Sequence, residues 1–317
     1  MTSPIDGIAG QQAHPSWSDW LRRSLGAGAI GWLLFCIACA PPRSSRIVIG
    51  AKNFTEQVVL GELLAQEIEE VTGQSVDRRF YLAGSYLCQQ ALVSGRIDGY
   101  VEYTGTALTA ILKQPLPPVG QRDRAHVFEV VRRLYEQRYQ VRVEPGLGFE
   151  NTFAMVVRGE DAQRFDLKTI SDAVPHALQM KLGVGYEFEQ RPDGLRGLES
   201  VYGLKFEGNP RTMDLGLLYR ALSAKQVDMV AGNSTDGPIQ ALGLVVLDDD
   251  KHYFPPYEAV PLVREDSLRR SPAIQTAMDK LSGKISAQEI REMNNAVDGE
   301  HRDVSAVVRK FRKSKGL

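Results

Sequence analysis

The side chains of this sequence best suited to chemistry gather where apolar, β-type runs give way to polar turns. Lys52 and Thr55 follow the run at 47–49, Gly84-Ser85 follow a second run, and Tyr100, Tyr103 and Thr106 close a third. The second half repeats the theme with Arg191, Tyr219 and the stretch Asn233-Ser-Thr-Asp236. Ammonium, guanidinium, hydroxyl and ring groups in these places point to non-covalent capture of a small molecule. In open α/β sheets, loop amides and helix N-termini converge at the carboxyl edge without disturbing the packed strands beneath. Bond-making chemistry has little support. There is no Gly-x-Gly-x-x-Gly at a strand end, no phosphate loop, no Gly-x-Ser-x-Gly elbow and no paired metal motif. His126, His176, His252 and His301 are scattered and read as surface or capping residues, and Cys88 reads as a small buried apolar group. Glu56, Glu102 and Asp236 are the only acid–base candidates, and the expected work of Glu102 and Asp236 is capping and orienting neighbours. Neither a cofactor nor a metal is expected.

The elements that must position these residues alternate. Residues 47–49 form a β-branched strand, and Val58, Val59, Leu60, Leu63, Leu64, Ile68 and Val71 follow at helical spacing until Gly73. A strand at 76–82, a helix at 86–93 and a strand at 97–103 continue a βαβαβ rhythm. A helix at 124–138, a strand at 140–143 and an apolar run at 153–157 come next, and the rhythm then restarts: a strand at 181–185, a helix at 215–223 and a strand at 227–231. The run 242–247 is expected to return toward the first unit, and the remainder is helical. This reading makes an α/β chain of two lobes, with 46–150 plus 244–317 as lobe 1, 151–243 as lobe 2, and a ligand cleft and hinge between them.

Composition limits the class. A chain of 317 residues with 43% hydrophobic and 24% charged residues can fill two cores. Its net charge of −1 leaves no electrostatic footprint for nucleic acid. The basic patch at 309–315 reads as a solvated terminal helix. Arg22 and Arg23 precede an uncharged segment at 25–38 that ends at Cys39. Residues 1–39 therefore read as a polar leader and export signal. Ala38-Cys39 looks like the end of a lipobox, although Cys36 stands where such signals usually carry Leu. The expectation is lipidation at Cys39 and a place in the periplasm or on the outer face of the cytoplasmic membrane.

The motifs Lys52-Asn-Phe-Thr-Glu-Gln57, Ile97-Asp-Gly-Tyr-Val-Glu-Tyr-Thr-Gly-Thr106, Arg191-Pro-Asp-Gly194 and Lys225-Gln-Val-Asp228 resemble the substrate-binding proteins of quaternary-amine ABC importers, the glycine betaine, choline and carnitine uptake family. The resemblance runs from about Arg46 to the C-terminus. It implies a periplasmic-binding-protein type II fold, a betaine or other quaternary amine as ligand, and a permease and ATPase as separate chains. A quaternary ammonium has no N–H to donate, so aromatic faces are its natural host, while a betaine carboxylate needs cationic or amide partners. By position the resemblance makes Tyr103 and Tyr219 cage tyrosines, places Lys52 and Arg191 near the carboxylate, and makes Thr106 a polar contact; Thr55 and Ser85 join them at the strand ends. Where the family's archaeal betaine binder has tyrosines, Phe153 keeps the ring without its hydroxyl and Asn233 has no ring. Each lost face is worth about 0.5 to 2 kcal/mol. Asn233 through Asp236 also offer hydrogen bonds that suit ergothioneine or another polar zwitterion, and a ligand sensor on the same fold is a further alternative.

Overall fold

The computed structural model describes residues 46–118 and 122–317. The leader, its apolar segment and Cys39 lie outside the described residues. Ten strands, β1 (Ile47–Gly50), β2 (Val76–Arg79), β3 (Gly99–Tyr103), β4 (Val141–Val143), β5 (Phe153–Arg158), β6 (Leu182–Val184), β7 (Arg211–Thr212), β8 (Met229–Asn233), β9 (Leu244–Leu247) and β10 (Ala259–Arg264), build two five-stranded sheets. Their orders are β2-β1-β3-β10-β4 and β7-β6-β8-β5-β9.

The two sheets repeat one plan. In the first, β1 lies parallel between β2 and β3, and β10 joins β3 to β4 antiparallel. In the second, β6 lies parallel between β7 and β8, and β5 joins β8 to β9 antiparallel. The inner strands hide both faces, which is why they read as near-continuous apolar runs, whereas the edge strands β2 and β7 are largely open. In β5, Met155 and Val157 enter one core while Ala154 and Val156 enter the core on the opposite face. In β3, Val101 and Tyr103 face one way and Tyr100 the other.

The helix Thr55–Thr72 follows β1 and ends at Gly73, whose left-handed φ of 66° lets its N–H reach the Glu69 carbonyl. It packs under the C-terminal helices Ala273–Leu281, Ala287–Asp298 and Val304–Lys315. The basic terminal helix is not wholly solvated, because Arg312 is buried and donates to Glu67 through Nε at 3.1 Å and Nη2 at 2.8 Å.

One strand lies elsewhere than the sequence predicts. Leu244–Leu247 does not return to the first sheet; it pairs antiparallel with β5, Leu247 opposite Met155 and Leu244 opposite Arg158. The reason is that β5 enters the second sheet with one edge taken by β8 and the other unpaired, and an apolar four-residue strand directly after the reversal at Gly243 (φ 62°) fills it. Residues 244–247 thus belong to the second sheet, and the return crossing follows within 248–258. It runs beside the outward crossing, 144–152, with Glu150 bridged to Glu258 and the Asn151 N–H donating to the Tyr257 carbonyl at 3.0 Å. A smaller difference is that the strand expected over 76–82 stops at Arg79, since Tyr81 and Ala83 turn to φ 60° and 68°.

Candidate functional site

Both sheets aim their carboxyl edges at one cleft of about 320 Å³. The turn after β1 supplies Lys52, Asn53 and Phe54; the end of β3 and the turn after it supply Tyr103 and Thr106; the two crossings supply Asn151 and Tyr257, and the start of β5 supplies Phe153. From the second lobe come Tyr186, Glu187, Phe188 and Arg191 after β6, with Ala231 and Asn233 on β8.

Aromatic rings form much of the wall. Phe153 meets Phe188 edge to face, centroids 4.9 Å apart, and Tyr257 in the same manner at 5.7 Å. The Arg191 guanidinium carbon lies 4.7 Å from the centre of the Phe153 ring and 5.8 Å from that of Tyr257. On the facing side the Lys52 ammonium stands 4.9 Å from the Tyr103 ring centre.

Both cations are braced by buried carboxylates. Lys52, 3% exposed, donates from Nζ to Glu102, which also accepts from the Tyr103 backbone N–H at 2.8 Å and the Tyr100 hydroxyl at 3.2 Å. Arg191 forks onto Asp193 through Nε at 2.9 Å and Nη2 at 2.5 Å, and the Tyr257 hydroxyl donates to the same carboxylate at 2.6 Å. Burial works against both charges of this pair; their mutual attraction prevails, raising the guanidinium's pKa and lowering that of Asp193. A planar fork clamped in this way leaves Nη1 outside the pair, and Lys52 keeps further N–H groups beyond its bond to Glu102.

Behind Tyr103 sits Glu56, buried and surrounded by donors. It accepts from the Tyr103 hydroxyl at 2.6 Å, Asn151 Nδ2 at 2.9 Å, Asn294 Nδ2 at 3.0 Å and the Thr235 hydroxyl at 2.5 Å. These partners come from β3, the outward crossing, a C-terminal helix and the turn after β8, so one carboxylate ties both lobes and the crossing together. Burial raises its pKa although all four donors favour the charged form.

Of the residues expected to form the site, Lys52, Tyr103, Thr106, Phe153, Arg191 and Asn233 line the cleft. Tyr219 and Thr55 line an adjoining space of about 460 Å³ that shares Asn53, Phe54, Asp214, Leu215 and Asn233 with it. There Tyr219 donates its hydroxyl to Asp236 at 2.6 Å, and Thr55 donates to Asp298 at 2.5 Å. Ser85 is buried behind the cleft wall against Glu187. Asn233 Nδ2 points to Asp236 at 3.2 Å, so part of its hydrogen-bonding capacity is taken within the protein.

Tyr186, Glu187, Phe188 and Tyr257 are additional wall residues. The strand-end rule that selected Lys52 would have selected Tyr186 through Phe188 after β6, but Tyr257 follows Pro255-Pro256 in a crossing with no local signal. Among the described residues no group of acidic, His or Cys side chains could hold a metal, and no helix is long and apolar enough to cross a membrane. Cys88 is buried without a disulfide, and burial pushes its thiol up to about 12, as befits an inert apolar filler.

Known proteins match this architecture. Residues 45–314 fit the family model for the substrate-binding domain of ABC-type glycine betaine transport systems. The carnitine transport binding protein OpuCC of Listeria monocytogenes serotype 1/2a is 32% identical over 285 residues, covering 88% of this chain and 91% of that protein. The ergothioneine transport permease/ergothioneine binding protein EgtU of Helicobacter pylori is 30% identical over 272 residues; 86% of this chain is covered but only 48% of that longer protein. A crystal structure described as a glycine betaine/carnitine/choline ABC transporter superposes with a TM-score of 0.71 at 32% identity, over 85% of this chain and 98% of the other.

Proposed function

The chain belongs to the substrate-binding family of ABC-type glycine betaine transport systems, and from that premise we propose that its cleft captures a small quaternary-ammonium zwitterion and hands it to a membrane permease driven by a separate ATPase. The observation that carries the choice of ligand is the pairing of ring faces with braced cations: Tyr103, Phe153, Phe188 and Tyr257 around a space sized for a small solute, with Lys52 and Arg191 reaching in from opposite lobes. In this reading the rings receive the trimethylammonium group, because it has no N–H and loses little when water is replaced by π faces. Lys52 and Arg191 receive the carboxylate through the N–H groups that Glu102 and Asp193 leave over. Thr106 contributes a hydroxyl and Asn233 an amide at the second lobe's edge. Tyr219, Thr55 and Ser85 act from behind, through Asp236, Asp298 and Glu187. Ligand would leave unchanged, without turnover.

The leader fits export, with Cys39 as the lipid attachment point that holds the domain at the outer face of the cytoplasmic membrane. Calorimetric titration with glycine betaine, proline betaine, choline, carnitine and ergothioneine tests the ligand. Micromolar binding of a small betaine is the expected result. Tight ergothioneine binding with silence toward the betaines would move the assignment to the second reading, which the hydrogen-bonding stretch from Asn233 to Asp236 favours.

A further inference from the structure

The helix Ser85–Val93 begins without a cap of its own. Gly84 stands at its N-cap position with no side chain to offer, and no acidic residue occupies its first turn. Its exposed N–H groups and dipole therefore require a partner from elsewhere. That partner crosses the cleft: Glu187 of the second lobe accepts from the Ser85 backbone N–H through Oε1 at 2.6 Å, and its Oε2 lies 3.3 Å from the Ser85 hydroxyl. The same Oε2 is 3.6 Å from Arg191 Nη1, which links this contact to the guanidinium of the ligand site.

The backbone around Ser85 is shaped to meet that carboxylate. Tyr81 and Ala83 both hold left-handed φ values that side chains other than glycine rarely adopt, a cost of about 1 kcal/mol or more each. The loop they form is pinned to the turn carrying Lys52, with the Leu82 N–H on the Ala51 carbonyl at 3.0 Å and the Asn53 N–H on the Ala83 carbonyl at 3.1 Å. Gly84 itself has an ordinary extended conformation (φ −88°, ψ −171°), so no backbone requirement demands glycine. What a side chain there would displace is Glu187: a Cβ would lie 2.1 Å from its Oε1, and the three nearest neighbours are all atoms of the Glu187 side chain, which would have to leave its place on Ser85.

We propose that Glu187 is an interlobe latch, a positioning residue that holds the cleft shut by capping the helix Ser85–Val93 from the opposite lobe, with Gly84 kept small to admit it. A charge-assisted hydrogen bond at a helix N-terminus is formed when the lobes meet and broken when they part, so its loss falls on the rate of opening. The inference rests on the reading of the cleft as a ligand site, and its test separates the two. Stopped-flow measurement with glycine betaine should show Glu187→Ala raising the dissociation rate on the order of tenfold, with the association rate little changed. Gly84→Ala should produce a similar rise alone and add little in the Glu187→Ala background, because the clash disappears with the carboxylate. Small-angle scattering without added ligand should give Glu187→Ala a larger radius of gyration than the wild type. Absence of glycine betaine binding by the wild type would refute the ligand reading while leaving the scattering comparison to decide the latch. Identical scattering of wild type and Glu187→Ala, or a Gly84→Ala effect that persists undiminished without Glu187, overturns the latch.

Discussion

Tyr103 carries two duties on one side chain. Its ring faces Lys52 and the cleft while its hydroxyl supplies one of the four donors to Glu56. The two separate by substitution. Tyr103→Ala should weaken betaine binding about tenfold or more in calorimetry, whereas Tyr103→Phe keeps the ring and should change affinity little while costing about 1 kcal/mol of stability in thermal melts. Equal losses of affinity from both would sink the cage reading. Asn233 offers the reverse experiment: a ring introduced by Asn233→Tyr at this cleft-lining position should tighten glycine betaine binding by about two- to thirtyfold, and an unchanged dissociation constant would place it outside the cage. Asp236 titrates for reasons visible around it. Burial pushes its carboxyl from 3.8 up to about 6, against the donors Tyr219 and Asn233. A folded value above the unfolded one means that the folded protein takes up the proton first, so this group's contribution to stability grows as pH falls from about 6 toward 3.8. Asp236→Asn, which keeps an acceptor for Tyr219, should raise the melting temperature at pH 7 by an amount equivalent to at most about 3 kcal/mol and flatten the melting profile across that window. A steeper profile in the variant would contradict the assignment.

At the scale of elements, the helix Thr55–Thr72 is the part on which the site leans. It begins beside Lys52, carries Glu56 in its first turn, and is buried from Glu56 through Ile68. Its position follows from apolar spacing, but its tightness depends on three C-terminal helices that no local pattern ties to it. Leu64→Ala, at a position 1% exposed, should cost about 2 to 5 kcal/mol in denaturant unfolding, since the surrounding helices can close the void only in part. A loss below about 1 kcal/mol would show that they relax freely. The misplaced strand teaches a related lesson. Leu-Val-Val-Leu at 244–247 is apolar enough for either sheet, and its partner was decided by which edge lay unpaired after β5 had crossed over.

Over the whole molecule, two interlobe carboxylates divide the labour. Glu56 lies beside the paired crossings and gathers donors from both lobes, while Glu187 spans the cleft to Ser85. Glu56, like Asp236, holds its proton more strongly when folded because burial disfavours the charge. These two therefore add stability on mild acidification, in contrast to Asp193, whose lowered value makes its contribution present above about 3.8 and lost as pH falls below it.

The α/β rhythm, the two-lobed class, the end of the first helix at Gly73 and the strand-end clustering of Lys52, Tyr103, Arg191 and Asn233 were all legible in the sequence, because period, caps and turns are local properties. Tertiary structure alone decided which of them share one space. It set Tyr219 and Thr55 in the adjoining cavity, brought Tyr257 in from a crossing, assigned β9 to the second sheet and joined Glu187 to Ser85 across 102 positions of chain. Such choices depend on packing, on unpaired edges and on the distance between surfaces, and none of these is set by neighbours along the chain.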